Sequence, residues 1–314
     1  MSRQYNFVNI DANETIYFLR ELEFVKAQVY NKQYPEYMWQ FLFPVDSSAG
    51  PGAEAITYRS YDSVGVMKIM ANYSDDAPRS DVFANEFTAT IKSIRGAYGY
   101  SIQDVRAAIY QNKPLKTLKA DAAMLAYMQG VNDIAWFADG SAKYGGLYGF
   151  LYNPNTTKTN APVGAWLTGP KTADQIIGDV NYAITRPRVL TKKVEMVNTV
   201  IIPVDCYAHI ASTPRSSTSD TTILEFLQRV HPTVTFVDCN EVSAVNPKPS
   251  GALSATNCLI AYRRDPMKLE LYIPQPFEQF PPQERNMEYV VNTHARVGGI
   301  AFYYPLSCII LENL

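Results

Sequence analysis

Charge is scarce in this chain. Asp, Glu, Lys and Arg make up 18% of its 314 residues, against roughly a quarter in an ordinary soluble domain. The formal balance is −2 at pH 7, so there is no basic field of the kind that tracks a nucleic-acid backbone. Histidine is scarcer still, with only His209, His231 and His294. None stands in an H-E-x-x-H pair, and no G-x-S-x-G elbow occurs, so the zinc-protease and serine-hydrolase signatures are missing. His209 reads as a satisfied core residue. His231 precedes Pro232 at an expected helix end, where a histidine favours the helix dipole. The cysteines, Cys206, Cys239, Cys258 and Cys308, are far apart and form no C-x-x-C pair. Metal binding is not expected from them, and reduced thiols are. The opening residues MSRQYNFVNIDANE lack the apolar centre of a signal peptide. No stretch approaches the apolar length of a membrane span.

The glycine-rich stretch FADGSAKYGGLYGFLYNPN, residues 137–155, invites comparison with a phosphate loop. Gly140 and Gly145 have the right separation, but Gly146 and Leu147 stand where Lys and Ser or Thr are required. The helix also precedes the glycines, so its N-terminal N–H groups lie at the wrong end for an anion. The expected role is structural: Gly140 ends the helix in the left-handed region, and the others let the backbone turn or pass close to a neighbour. No catalytic, cofactor-binding or metal-ligating residue is nominated anywhere in the chain.

What is plentiful is apolar and aromatic surface. Hydrophobic residues reach 47%, and tyrosine alone contributes 22 residues. Many tyrosines with few charges fit a protein that covers its surface with partners. An amphipathic helix is expected over 14–30, where Phe18, Leu22, Val25 and Val29 share a face. QYPEYMWQFLFPVD then reads as an extended aromatic segment, either a core-edge strand or an arm laid across another subunit with Trp39 and Phe41 as its contacts. A β excursion follows, with strands in 55–71 and 87–98, where Val64, Val66 and Met70 share a side. The polar loop 72–85 joins them. Its aspartates lack EF-hand spacing. Asp75, Asp76, Arg79 and Asp81, stiffened by Pro78, are expected to face a neighbouring subunit. Two strands alone are marginal in water, so their apolar side must lean on something.

Ser101 is the expected N-cap of a short helix ending before Pro114. A long helix begins near Thr117 and runs to the glycine stretch. Gly130 is its weak point, since interior glycine costs about 1 kcal/mol relative to alanine. It is read as a hinge, with close packing as the alternative. An α/β region spans 162–273. Thr172 and Gln175 make a capping box, VNTVIIP is a buried strand, Asp220 is a candidate cap for the helix 221–230, and strands are expected at 233–238 and 257–262. The proline-rich run YIPQPFEQFPPQER reads as a stiff extended connector. The tail reads as strand, Gly-Gly turn, strand.

In this order, YFLRELEFVKAQVY, the excursion 55–98, GYSIQDVRAAIYQNKPLKTLKADAA, DIAWFADG, YGGLYGFLYNPN and ARVGGIAFYYPLS resemble the parts of the major capsid proteins of tailed double-stranded DNA bacteriophages, of the Hong Kong 97-type fold. The resemblance implies an α+β chain with an N-terminal arm over 1–54 and an extended hairpin loop over 55–100. It also implies a peripheral domain with a long spine helix over 101–161 and 274–314, and an axial domain over 162–273. It implies self-assembly into pentamers and hexamers of an icosahedral shell that encloses DNA without sequence-specific binding. Portal and scaffolding or decoration proteins are the further implied partners. The implied location is the virion, assembled in the host cytoplasm without a membrane. Relatives often carry an N-terminal scaffolding segment. Here the arm begins at once, so scaffolding is expected as a separate protein or a removed leader. Two alternatives stand beside this reading: an encapsulin-like compartment holding enzyme cargo, and an enzyme with an unrecognised site in the α/β region.

Overall fold

The computed structural model describes residues 36–69, 78–111, 115–169, 171–216, 218, 220–244 and 256–314, with the backbone alone for 115–118. The amphipathic helix expected over 14–30 and the residues Asp75 and Asp76 lie outside the described residues.

From Tyr37 onward the elements are as follows. The chain opens with α1 (Trp39–Leu42), β1 (Val45–Asp46), β2 (Ala55–Val64), β3 (Asp81–Thr90) and β4 (Lys92–Ser101). Then come α2 (Ile102–Gln111), the spine helix α3 (Leu115–Phe137), β5 (Thr157–Asn160), α4 (Ala173–Leu190), β6 (Thr199–Pro203), α5 (Val204–Ser212) and α6 (Ile223–Val230). The remainder is strand: β7 (Thr235–Cys239), β8 (Leu259–Tyr262), β9 (Leu269–Tyr272), β10 (Gln275–Gln279), β11 (Gln283–Arg285), β12 (Glu288–Val297), β13 (Gly299–Phe302) and β14 (Cys308–Glu312).

Local chemistry sets the helix starts. Ser101 Oγ accepts from Asp104 N at 3.0 Å, capping α2 as expected. Thr172 and Gln175 close a reciprocal capping box on α4, with Thr172 N donating to Gln175 Oε1 at 3.0 Å. On α6 the cap is Thr222, whose Oγ1 accepts from Glu225 N at 3.2 Å, and not the expected Asp220. A hydroxyl directly before the first helical residue reaches the free N–H groups of the first turn, and a side chain two residues earlier does not.

The five-stranded sheet has the order β5-β14-β8-β6-β7. Its two faces are separated by strand parity. Val200, Ile202, Leu259, Ala261, Ile309 and Leu311 join one core with Ile176, Val180 and Ala183 of α4 and with side chains of α5 and α6. Ile201, Ile260, Tyr262, Cys308 and Ile310 point the other way. They meet Trp136 of the spine helix, Phe43 and Phe150. Both faces are covered, so every residue of TVIIP is buried. The sheet draws β5 and β14 from either side of 162–273: β14 pairs with β8, and β5 adds to the far edge of β14.

Several expectations are corrected. The strand expected over 87–98 is two strands that part at Ile91. β3 pairs with β2, while β4 pairs along its whole length with β12. Uniform β-propensity runs across the junction, but the partner changes there. The loop expected over 72–85 also gives way to strand, since β3 begins at Asp81. The tail is strand, Gly-Gly turn and strand as expected, but its two strands join different sheets: β12 pairs with β4, β10 and β11, and β13 pairs with β9. Gly299 turns the chain from one sheet to the other at φ +73°, against the Tyr148 carbonyl. Half of the proline-rich connector is ladder: β10 and β11 are edge strands on β12, β10 through an irregular register. Edges and bulges are where a sheet accepts proline.

The glycine stretch closes the spine helix by a different route from the one expected. The helix ends at Phe137, and Gly140, at φ +78°, lies beyond it. The chain then turns and returns alongside the last turn. Phe150 N donates to Ala135 O at 2.7 Å, and Gly149 N donates to Ala138 O at 2.7 Å. These bonds satisfy carbonyls that a helix end leaves without partners. A Cβ at Gly149 would sit 2.6 Å from Ile134 O, which explains glycine there.

Candidate assembly surfaces

β2 and β3 form a two-stranded ribbon ten residues deep, in register from Ala55↔Thr90 to Val64↔Asp81. Opposed residues share a face. One face carries Ile56, Tyr58, Phe87, Asp62, Phe83, Val64 and Asp81. The other carries Thr57 with Thr88, Arg59 with Glu86, Tyr61 and Val82. Among the described residues only the root is tied to the body. Ile91 N donates to Glu54 O at 2.9 Å, extending the ribbon ladder by one pair, and Tyr58 Oη donates to Phe302 O of the body at 3.4 Å. Tyr58 stacks on Phe87 and meets Tyr303 edge-on at 4.8 Å. Tyr303 is held in turn: its hydroxyl donates to Glu270 Oε2 at 2.6 Å and lies 2.8 Å from the Tyr272 hydroxyl. Burial raises the pKa of Glu270 above the ordinary carboxylate value, and burial raises Tyr303 as well.

Beyond the root, among the described residues, both faces of the ribbon are exposed. Tyr61, Val64, Val82 and Phe83 are exposed, Phe83 by 57%. The Arg59–Glu86 pair, 2.6 Å long and open to water, contributes about 0–1 kcal/mol. It does not replace a core. Arg79 is exposed, and Asp81 opens β3, its Oδ1 accepting from Val82 N at 2.8 Å.

The aromatic arm divides. Phe41 is 55% exposed, available to a neighbour. Trp39 is 3% exposed and belongs to this chain's own core beside Leu42 and Phe43. This corrects the expectation that Trp39 faces another subunit. The segment is one helical turn where an extended arm was expected, and Tyr262 Oη donates to Leu42 O at 2.7 Å. A short helix alternates inward and outward side chains around its axis, and Trp39 falls inward.

Gly130 lies within the uninterrupted helix α3, and a Cβ built there meets nothing within 4 Å. Among the described residues nothing therefore supports the close-packing alternative.

Asp179, fully buried, accepts from Trp166 Nε1 at 2.9 Å and Val163 N at 3.0 Å. Glu241, also buried, accepts from Asn132 Nδ2 at 2.9 Å and from the Cys239 thiol at 2.9 Å, tying the spine helix to the edge of the five-stranded sheet. The four cysteines are free and buried, and burial pushes the Cys206 thiol up to about 11. His231 Nε2 lies 2.8 Å from Asn181 Oδ1 just past α6, and burial lowers its pKa. Its surroundings thus disfavour the charge that a helix dipole would favour. A cavity of about 150 Å³ between the spine helix and β4 and β12 is lined by Ala123, Ala126, Gly96 and Thr293 among others. It is smaller than an ordinary small-molecule site. Among the described residues no cluster of three His, Cys, Asp or Glu side chains is arranged for a metal, and no helix is long and apolar enough to cross a membrane.

A family model, "Major capsid protein", matches residues 65–312. No curated protein matches. Among solved structures, the capsid of Myoviridae phage XM1 superposes with a TM-score of 0.80 at 18% identity, over 94% of this chain and 98% of that one. A structure from Mycobacterium phage Ogopogo gives 0.62 at 11% identity, over 95% and 98%. The capsid of the native GTA particle gives 0.59 at 8% identity, over 92% and 94%. The expected mixed helix-and-sheet fold of the Hong Kong 97 type is therefore the fold of this chain. The encapsulin-like alternative is not favoured, since the family matched is that of capsid proteins. The match covers most of the sequence, so the chain belongs to the major capsid protein family and is a structural shell subunit.

Proposed function

We propose that this subunit assembles into pentamers and hexamers of an icosahedral shell that encloses double-stranded DNA in the virion, without turnover of a substrate. The observation that carries this reading is the ribbon β2–β3, which among the described residues is exposed on both faces beyond its root. A two-stranded ribbon is marginal alone, so cover has to come from another copy. A net charge of −2 suits DNA held by confinement and counterions. Assembly in the host cytoplasm, and portal, scaffolding or decoration proteins as partners, complete the proposal. So does the division into arm (1–54), extended loop (55–100), peripheral domain (101–161 and 274–314) and axial domain (162–273).

Electron microscopy and sedimentation of the purified protein test it. Capsomers or shells are expected, and shells formed in the presence of the packaging machinery should hold nuclease-protected DNA. Deleting residues 74–81 should leave a folded subunit that assembles poorly. A stable monomer at all concentrations would overturn the proposal.

A further inference from the structure

The carboxyl end of α4 carries a second exposed surface that the fold itself does not use. Arg186, Arg188, Lys192 and Lys193 all face solvent within eight residues. Among the described residues none of them is in an ion pair. Val189, 66% exposed, and Val194, 69% exposed, stand among them, with Leu190 and Met196 also exposed. In a chain with so few charges this is a marked concentration of one sign.

Two backbone observations describe the turn that carries the lysines. Lys192 and Lys193 have φ of +51° and +73°. That left-handed region suits glycine, and long side chains rarely enter it. Lys193 N donates to Arg188 O at 2.7 Å, closing the helix end. Glycine would make the same turn with less strain, yet both positions present a cation. The turn is also fixed from behind. Buried Glu195 accepts from Lys268 Nζ at 2.6 Å, which holds the basic, apolar surface rigidly on the body.

The outer half of the ribbon has the opposite character. Asp62 opposes Phe83, and Val64 opposes Asp81, so two carboxylates and two apolar side chains share one face. Among the described residues neither carboxylate is in an ion pair. Within one chain the two surfaces do not cover each other, since both are exposed. Complementary surfaces at different places on one subunit make head-to-tail contacts, which close rings when the rotation permits.

We propose that the outer half of one copy's ribbon, through Asp62, Val64, Asp81 and Phe83, docks on residues 186–196 of the next copy, against Arg188, Lys192, Lys193, Val189 and Val194. This rests on the shell-subunit reading above and names the surface that receives the ribbon. The apolar side chains on both sides favour a polypeptide occupant, and the charges fix its register.

Charge exchange in the full-length chain tests it. Lys192→Glu with Lys193→Glu, and separately Asp62→Lys with Asp81→Lys, should each lower the capsomer fraction about tenfold, and the four changes together should restore most of it. Melting of the unassembled fraction checks that each variant is folded. Independently, mixing Phe83→Cys chains with Val194→Cys chains under a mild oxidant should give a disulfide-linked dimer that neither chain gives alone, since the native cysteines are buried. Normal assembly of both reversed variants, or no cross-linked dimer in shells that form, overturns the docking and leaves the shell reading standing. Shells of normal yield that lose DNA when 192 and 193 are reversed also overturn it, by giving this surface to nucleic acid. If the unaltered chain forms no assembly at all, both readings fall.

Discussion

Strands β6 and β2 make an instructive pair. Both are rich in β-branched or aromatic residues, and both lie in regular ladders, yet every residue of β6 is buried and none of β2 is. The difference lies in what covers them. β6 has helices on one face and the end of the spine helix on the other, whereas β2 has a single partner strand and a root. The body of the subunit is therefore stabilised from within, and the ribbon acquires its cover from outside.

Substitutions can break that contrast. The largest effect is expected in the sheet. Ile201→Ala removes a fully buried side chain between Trp136 and the sheet core, and should cost the isolated subunit about 2–5 kcal/mol, read by denaturant unfolding. Next is Gly130→Ala, which replaces an interior helical glycine where no atom obstructs a Cβ. It should stabilise the isolated subunit by about 1 kcal/mol. If Gly130 is a hinge, the same variant should assemble into early shells of altered shape or expand abnormally. A loss of subunit stability would instead reinstate close packing. Phe83→Ser should change subunit stability by no more than about 0.5 kcal/mol while depleting capsomers in sedimentation. A comparable loss on both measures would show that the ribbon is stabilised in cis.

The smallest effect is a pH slope. Burial holds the folded pKa of His231 below its ordinary value of 6.5. The unfolded chain then binds more protons between the two values. Stability is thus full above about pH 6.5 and declines as pH falls toward the folded pKa. His231→Gln should flatten that slope in melting curves taken across this range.

Much of the body can be read from residue types and spacing. Thr172 with Gln175, Ser101, and the buried run from Val197 to Pro203 each act locally or through simple periodicity, and each is found as expected. What escapes is partner choice. Nothing near Ile91 announces that the strand before it pairs with β2 and the strand after it with a segment close to the C-terminus. Trp39 reads as sticky in sequence, but stickiness alone does not say whether the surface it meets belongs to its own chain. For the ribbon, β-propensity locates the strands, and only the structure shows that Phe83 and Val64 lack cover. The basic cluster at 186–193 is visible as letters. Its exposure and its left-handed lysines are not.

The pairing of β4 with β12 bears on when the subunit becomes competent. Arg95 and Asn292, hydrogen-bonded across these strands, are separated by 197 positions in the chain. Contacts of such long range are slow to close, because loop entropy is lost before the ladder forms. During synthesis the ribbon strands emerge well before β12. Their root waits for Tyr303, which lies later still than β12. Until that late segment docks, the ribbon lacks the contact that positions its root. Chain order thus puts a late segment in control of how the ribbon is presented.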